Sequence, residues 1–230
     1  MSRAQFDLLI FDWDGTLADS EGLIVRSMQA AITDLGLPPR SDRAIGELIG
    51  LGLTEGMQTL YPELDTDELI RLLMGYRASF VGKPGDPVAA AREAPLFDGA
   101  KQALSELVSG GYVLAVATGK PRPGLERSLR HHSGLRALFA ATRTADETAN
   151  KPDPLMLREL LDELRVPVER ALMVGDTEYD AAMARAIGMP MIGVTCGVHA
   201  PGRILASGAM ALIESVSALP RWLRGSTGAV

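Results

Sequence analysis

The sequence predicts an α/β protein: a doubly wound, parallel-sheet core of the Rossmann-like kind, with an α-helical subdomain inserted near its start. Three observations predict it. Short, nearly continuous apolar runs recur along the chain, as strands do when helices cover both faces of a parallel sheet. Segments of helical period separate the later runs, and strands alternating with single helices imply right-handed crossovers. From about residue 18 to about 94 the alternation stops and only helical patterns remain.

The first strand is Phe6 to Asp12 (FDLLIFD). In the insert, Ile24, Met28, Ala31, Ile32 and Leu35 form an apolar stripe that ends at Gly36 and Pro38-Pro39. Short helical pieces follow at about Arg43 to Ile49 and Thr54 to Leu60. A second stripe, Leu69, Leu72, Leu73, Tyr76 and Phe80, ends at Gly82, Pro84, Gly85 and Pro87. The core then resumes with a helix carrying Ala100, Ala103, Leu104, Leu107 and Val108 at i, i+3, i+4, i+7, i+8, stopped by Gly110-Gly111. Strands are predicted at Tyr112 to Thr118, Ala171 to Gly175 and Met189 to Thr195. Between the last three strands lie helices carrying Leu157, Leu160, Leu161 and Leu164, then Tyr179, Ala182, Met183, Ala186 and Ile187.

Composition narrows the function classes. Of 230 residues, 47% are hydrophobic and 23% charged, which excludes a disordered chain. The net charge of −6 disfavours nucleic acid and anionic membrane as partners, because both call for a basic face. Leu8 to Phe11 is too short for a signal h-region or a membrane span, and the single cysteine, Cys196, allows no internal disulfide. A cytoplasmic protein is expected.

The chemistry gathers at strand ends. The first strand runs into Asp12-Trp13-Asp14-Gly15-Thr16-Leu17. Ligands of open parallel sheets bind outside the carboxyl ends of the strands, and there the turn at Gly15 lets both carboxylates converge. Their mutual repulsion is tolerable if a divalent metal neutralises one and the other keeps a proton. Chance gives the four fixed residues of D-x-D-G-T on the order of 10⁻⁵ per position, so solvated loop aspartates are a poor account. Thr118-Gly119 ends the second strand with a hydroxyl and an amide open to an anion, although a plain strand-to-helix turn has the same look. Lys151, just before a helix, reads as an anion ligand or as a solvated helix-edge charge. Gly175-Asp176-Thr177-Glu178-Tyr179-Asp180 offers hard oxygen ligands suited to Mg²⁺, with an N-cap role for Asp176 as the competitor. Lys120, Arg122, Arg127 and Arg130 read as a solvated helix face. His131, His132 and His199 read as solvated histidines, and Arg43, Arg77 and the Gly50-Leu51-Gly52 turn as ordinary surface or packing residues.

The order and placement of these four clusters resemble the haloacid dehalogenase-like hydrolase superfamily over nearly the whole chain. Asp12 and Asp14 match its first motif, Thr118 its second, Lys151 its third, and Asp176 with Asp180 its fourth. The insert resembles the cap of the phosphoglycolate phosphatase and β-phosphoglucomutase branch, so that 1–17 with 95–230 would be the core and 18–94 the cap. Trp13 departs from the more usual Leu or Met and is expected to point away from the chemistry. The resemblance implies a Mg²⁺-dependent phosphatase for a small phosphorylated metabolite, represented by phosphoglycolate. Asp12 would be the nucleophile that forms an aspartyl-phosphate, and Asp14 the general acid and then base. Thr118, Gly119 and Lys151 would hold the phosphoryl group. The metal would sit on Asp12, the main-chain oxygen of Asp14 and Asp176, supported by Asp180. A phosphomutase is the alternative, modestly disfavoured by Gly15-Thr16-Leu17-Ala18-Asp19-Ser20. A non-catalytic phosphate-binding protein would not need the nucleophile and the acid together.

Overall fold

Six parallel strands in the order β3-β2-β1-β4-β5-β6 form the centre of the protein. They are β1 (Leu8–Phe11), β2 (Val113–Thr118), β3 (Ala141–Thr144), β4 (Ala171–Gly175), β5 (Met191–Val194) and β6 (Ala211–Ile213). The computed structural model describes residues 6–82 and 93–225. Pro84, Gly85 and Pro87, read above as the end of a helix, lie outside them.

The period of two explains why β1 can be apolar throughout. Leu9 and Phe11 point into one core with Val116, Val174 and Ile192, while Leu8 and Ile10 point into the other with Ala115, Met173 and Met191. Helices α5 (Ala100–Ser109) and α6 (Arg122–His131) cover the first face, joined by α10 (Leu219–Gly225). Helices α7 (Leu155–Leu164), α8 (Glu178–Arg185) and α9 (Pro201–Ser207) cover the second. Trp13 is buried in the first core with its ring against Phe139.

Two of the six strands carry no clear mark in the sequence. β3 carries Thr142, Arg143 and Thr144 at the sheet edge, where a strand need not be apolar. β6 has three residues and no periodicity to detect.

The insert folds on itself. Helices α1 (Glu21–Asp34), α2 (Asp42–Gly46), α3 (Leu53–Leu60) and α4 (Thr66–Val81) bury Met28, Ile32, Ile45, Met57, Leu72 and Phe80 in a cluster of their own. A capping box between Asp65 and Glu68 starts α4. The two passages between insert and core run side by side: Asp19 N donates to Pro95 O and Phe97 N to Leu17 O.

Candidate active site

The strand order reverses at β1, with β2 on one side and β4 on the other, and this switch point is where the fold opens a crevice. Asp12 follows β1, Thr118 ends β2 and Asp176 follows β4, so three strand ends bring the predicted residues together. Lys151 comes from the turn before α7, and Asp180 from the first turn of α8.

Asp12 is fully buried. Lys151 Nζ lies 2.8 Å from its Oδ1, yet neither carboxylate oxygen has a directed hydrogen bond among the described residues. The same ammonium donates to Asp180 Oδ1 at 2.7 Å. Lys151 is therefore no solvated helix-edge charge; it has zero exposure. Burial opposes its charge, but Asp12 and Asp180 outweigh burial and hold its pKa above the ordinary lysine range.

Asp176 is pinned on both oxygens, accepting from Thr16 Oγ1 at 2.8 Å and Val198 N at 2.9 Å. It does not cap α8; Thr177 does, in a capping box with Asp180, whose Oδ2 accepts from the Thr177 hydroxyl at 2.6 Å. Gly15 has φ +81°, and a Cβ there would lie 2.2 Å from Asp176 Oδ2, so only glycine permits this turn. Burial, then the opposing pull of Lys151 and the push of Asp180, raises the Asp12 carboxyl to about 7. Burial followed by the charges of Asp12 and Asp180 also raises Asp176.

Ligand oxygens of Asp12, Asp176 and Asp180 lie within 4.8 Å of one another. Three carboxylates face one ammonium, a net of −3 + 1 = −2 when all are ionised. That excess, with three oxygen-donor carboxylates so close together, fits a divalent cation bound by oxygen.

Asp14 corrects one expectation. Its carboxylate takes both oxygens' contacts from Lys120 Nζ, at 2.9 and 3.1 Å, and that ammonium is buried at 7% exposure over the Phe80 ring. Lys120 is part of the site and not of a solvated face. The only sequence signal was its position two residues after Thr118; its partner lies 106 residues away. Arg127 likewise pairs with Glu93, and Arg122 with Glu147.

The Gly50-Leu51-Gly52 turn also does more than pack the insert. It lies on the core so closely that a Cβ on Gly119 would meet Leu51 O at 2.5 Å. His199 is buried too: Glu178 N donates to its Nδ1, and its Nε2 faces Glu47 O at 3.1 Å, linking core to insert. With Nδ1 accepting, Nε2 carries the proton. Arg203 adds ion pairs to Glu47 and Glu178. His132 contacts Ala94 O and is half-buried, while Arg43 stays exposed beside Glu47. Cys196 sits half-buried with its Sγ 3.7 Å from Gly15 O, and burial pushes its thiol up to about 11, which suits no nucleophile.

Residues 9–194 match the family model of the haloacid dehalogenase-like hydrolases. The chain belongs to this family. Among its relatives is the "Probable phosphatase IndB" of Dickeya dadantii, 33% identical over 212 residues that span 91% of this chain and 90% of that one. The plasmid phosphoglycolate phosphatase of Cupriavidus necator is 32% identical over 222 residues, covering 94% and 92%. In structure, a "predicted phosphatase" from Clostridium acetobutylicum superposes with a TM-score of 0.82 at 26% identity, covering 96% and 99%. The protein is thus a haloacid dehalogenase-like hydrolase of the phosphatase kind. Among the described residues, no helix is long and apolar enough to cross a membrane.

Proposed function

We propose that this protein is a Mg²⁺-dependent phosphatase that hydrolyses a small phosphate monoester, with phosphoglycolate as the reference substrate, through an aspartyl-phosphate on Asp12. The observation that carries the reading is the fully buried Asp12 carboxylate, held 2.8 Å from the Lys151 ammonium, with Asp14 two residues on. A carboxylate so desolvated is a poor resting anion and a ready nucleophile.

Asp12 attacks phosphorus; Asp14 protonates the leaving oxygen and then takes a proton from the water that opens the acyl phosphate. Thr118, the Gly119 amide and Lys151 hold the phosphoryl oxygens, and Lys120 adds positive charge beside Asp14. Asp12, the Asp14 main-chain oxygen and Asp176 would hold the metal, and Asp180 would keep Lys151 in place. When bound, Mg²⁺ offsets charge on the group being transferred. Residues 18–94 act as a cap over the core of 1–17 and 95–230, excluding bulk water from the reaction. The single cysteine, Cys196, suits a cytoplasmic setting.

Phosphate release from a panel of phosphorylated metabolites tests the activity. It should require Mg²⁺, stop with EDTA and return on adding the metal back. Asp176→Ala removes one anionic ligand and should raise the Mg²⁺ needed for half-maximal rate by roughly tenfold or more. Undiminished activity in EDTA would refute the metal assignment.

The raised carboxyls give a second check. Asp12 and Asp176 keep protons in the fold at pH values where the unfolded chain has lost them. Metal-free stability should therefore fall as pH rises from 3.8 toward about 7. A cation bound to those oxygens competes with the protons, so Mg²⁺ should raise Tm more at pH 8 than at pH 5. Equal Tm shifts at both pH values would count against binding at these carboxylates.

A further inference from the structure

Between the cap helices and the strand ends lies a cavity of about 330 Å³ that includes Asp12, Asp14, Thr118 and Gly119 in its lining. These residues account for its phosphoryl end. Much of the rest of the wall is apolar. Met28 of α1, Ile45 of α2, Leu48 between α2 and α3, Leu53 and Met57 of α3, and Phe80 of α4 face it, all from the insert. They are residues of the cap's own apolar cluster or partly buried side chains packed against it. Three cationic groups share the lining: Lys120 is paired with Asp14, Arg127 with Glu93 while one of its buried nitrogens, Nη2, has no partner, and Arg77 of α4 is exposed.

The geometry points to a phosphate monoester whose alcohol is an apolar body of about six carbons, alkyl or aryl, with any polar substituent turned toward Arg77 and Arg127. This deepens the phosphatase proposal and rests on it. The size argument comes first. A dry cavity of about 150 Å³ lined by Leu, Ile and Phe accepts a benzene ring, so 330 Å³ has room for such a body beside the phosphoryl group. A two-carbon hydroxy acid would leave most of the aliphatic wall facing water or void. The composition argument agrees: pockets place a few polar groups to orient a ligand and let apolar walls take its body.

The test is an unbranched series of ethyl, butyl and hexyl phosphate with the Mg²⁺-loaded protein. Leaving-group basicity is nearly constant along the series, so differences in kcat/KM report contact with the wall. Expected is a rise of about fourfold per methylene until the wall is covered, the equivalent of ~0.8 kcal/mol for each buried methylene. Hexyl phosphate should exceed ethyl phosphate by more than tenfold, and should also exceed phosphoglycolate. Leu53→Asn, at the half-buried start of α3, should lower the hexyl-to-ethyl ratio, and Leu48→Asn serves if that variant fails to fold. A flat or falling series, phosphoglycolate as the best ester, or a ratio unmoved in both variants would overturn the inference while leaving the phosphatase intact. If neither these esters nor p-nitrophenyl phosphate are hydrolysed, the phosphatase reading itself fails and this inference falls with it.

Discussion

Asp12→Asn is expected to lower turnover by roughly 10⁴-fold or more on every ester, the scale of loss seen when a covalent catalyst is deprived of its nucleophile. The fold should survive. Burial already pushes the Asp12 carboxyl up to about 7, so an uncharged, nearly isosteric amide relieves an electrostatic cost at that point. Lys151 keeps Asp180 as counter-ion at 2.7 Å. Tm without metal should therefore be unchanged or higher, and the Tm gain on adding Mg²⁺ should shrink. Turnover in the variant at more than a hundredth of the parent rate, with contaminating phosphatases excluded, would sink the covalent mechanism.

Asp14→Asn is expected to show the opposite balance. Loss of acid–base help should cost roughly 10²–10⁴-fold on an alkyl ester. An activated aryl phosphate, whose leaving group needs no proton, should lose less in the first step and accumulate phosphorylated enzyme. Stability should fall here, because the substitution leaves the Lys120 ammonium buried without its counter-ion. Rate losses of equal size for alkyl and aryl esters, with no accumulated phosphoenzyme, would remove Asp14 from the proton-transfer role.

What the sequence disclosed and what it hid divide along a physical line. Four strands were legible because helices cover both faces of the sheet, so Leu8 to Phe11 is apolar at every position and its counterparts nearly so. β3 escaped because an edge strand tolerates Thr142 and Arg143, and β6 because three residues carry no pattern. The strand-end motifs were legible because each catalytic group directly follows a buried strand or opens a helix. Lys120 and His199 were not, since their meaning comes from partners 106 and 152 residues away that only the fold brings near. The apolar stripes of the insert were read as packing, and they are; Met28, Ile45 and Met57 also face the cavity, a second use that periodicity does not distinguish. The Asp176 side chain was placed at the site by its motif, but its pairing with Thr16 and Val198 N required the structure.

The account stands or falls on where the phosphoryl group rests between the two halves of the reaction. The most direct measurement is to mix the Asp14→Asn protein with Mg²⁺ and a ³²P-labelled aryl phosphate, quench in acid within a turnover, and map the label by peptide mass spectrometry. The account predicts an acid-stable, hydroxylamine-sensitive acyl phosphate on Asp12, approaching one label per chain, and no label in Asp12→Asn. Label on any other side chain, or none in a variant that still releases phosphate, would contradict it.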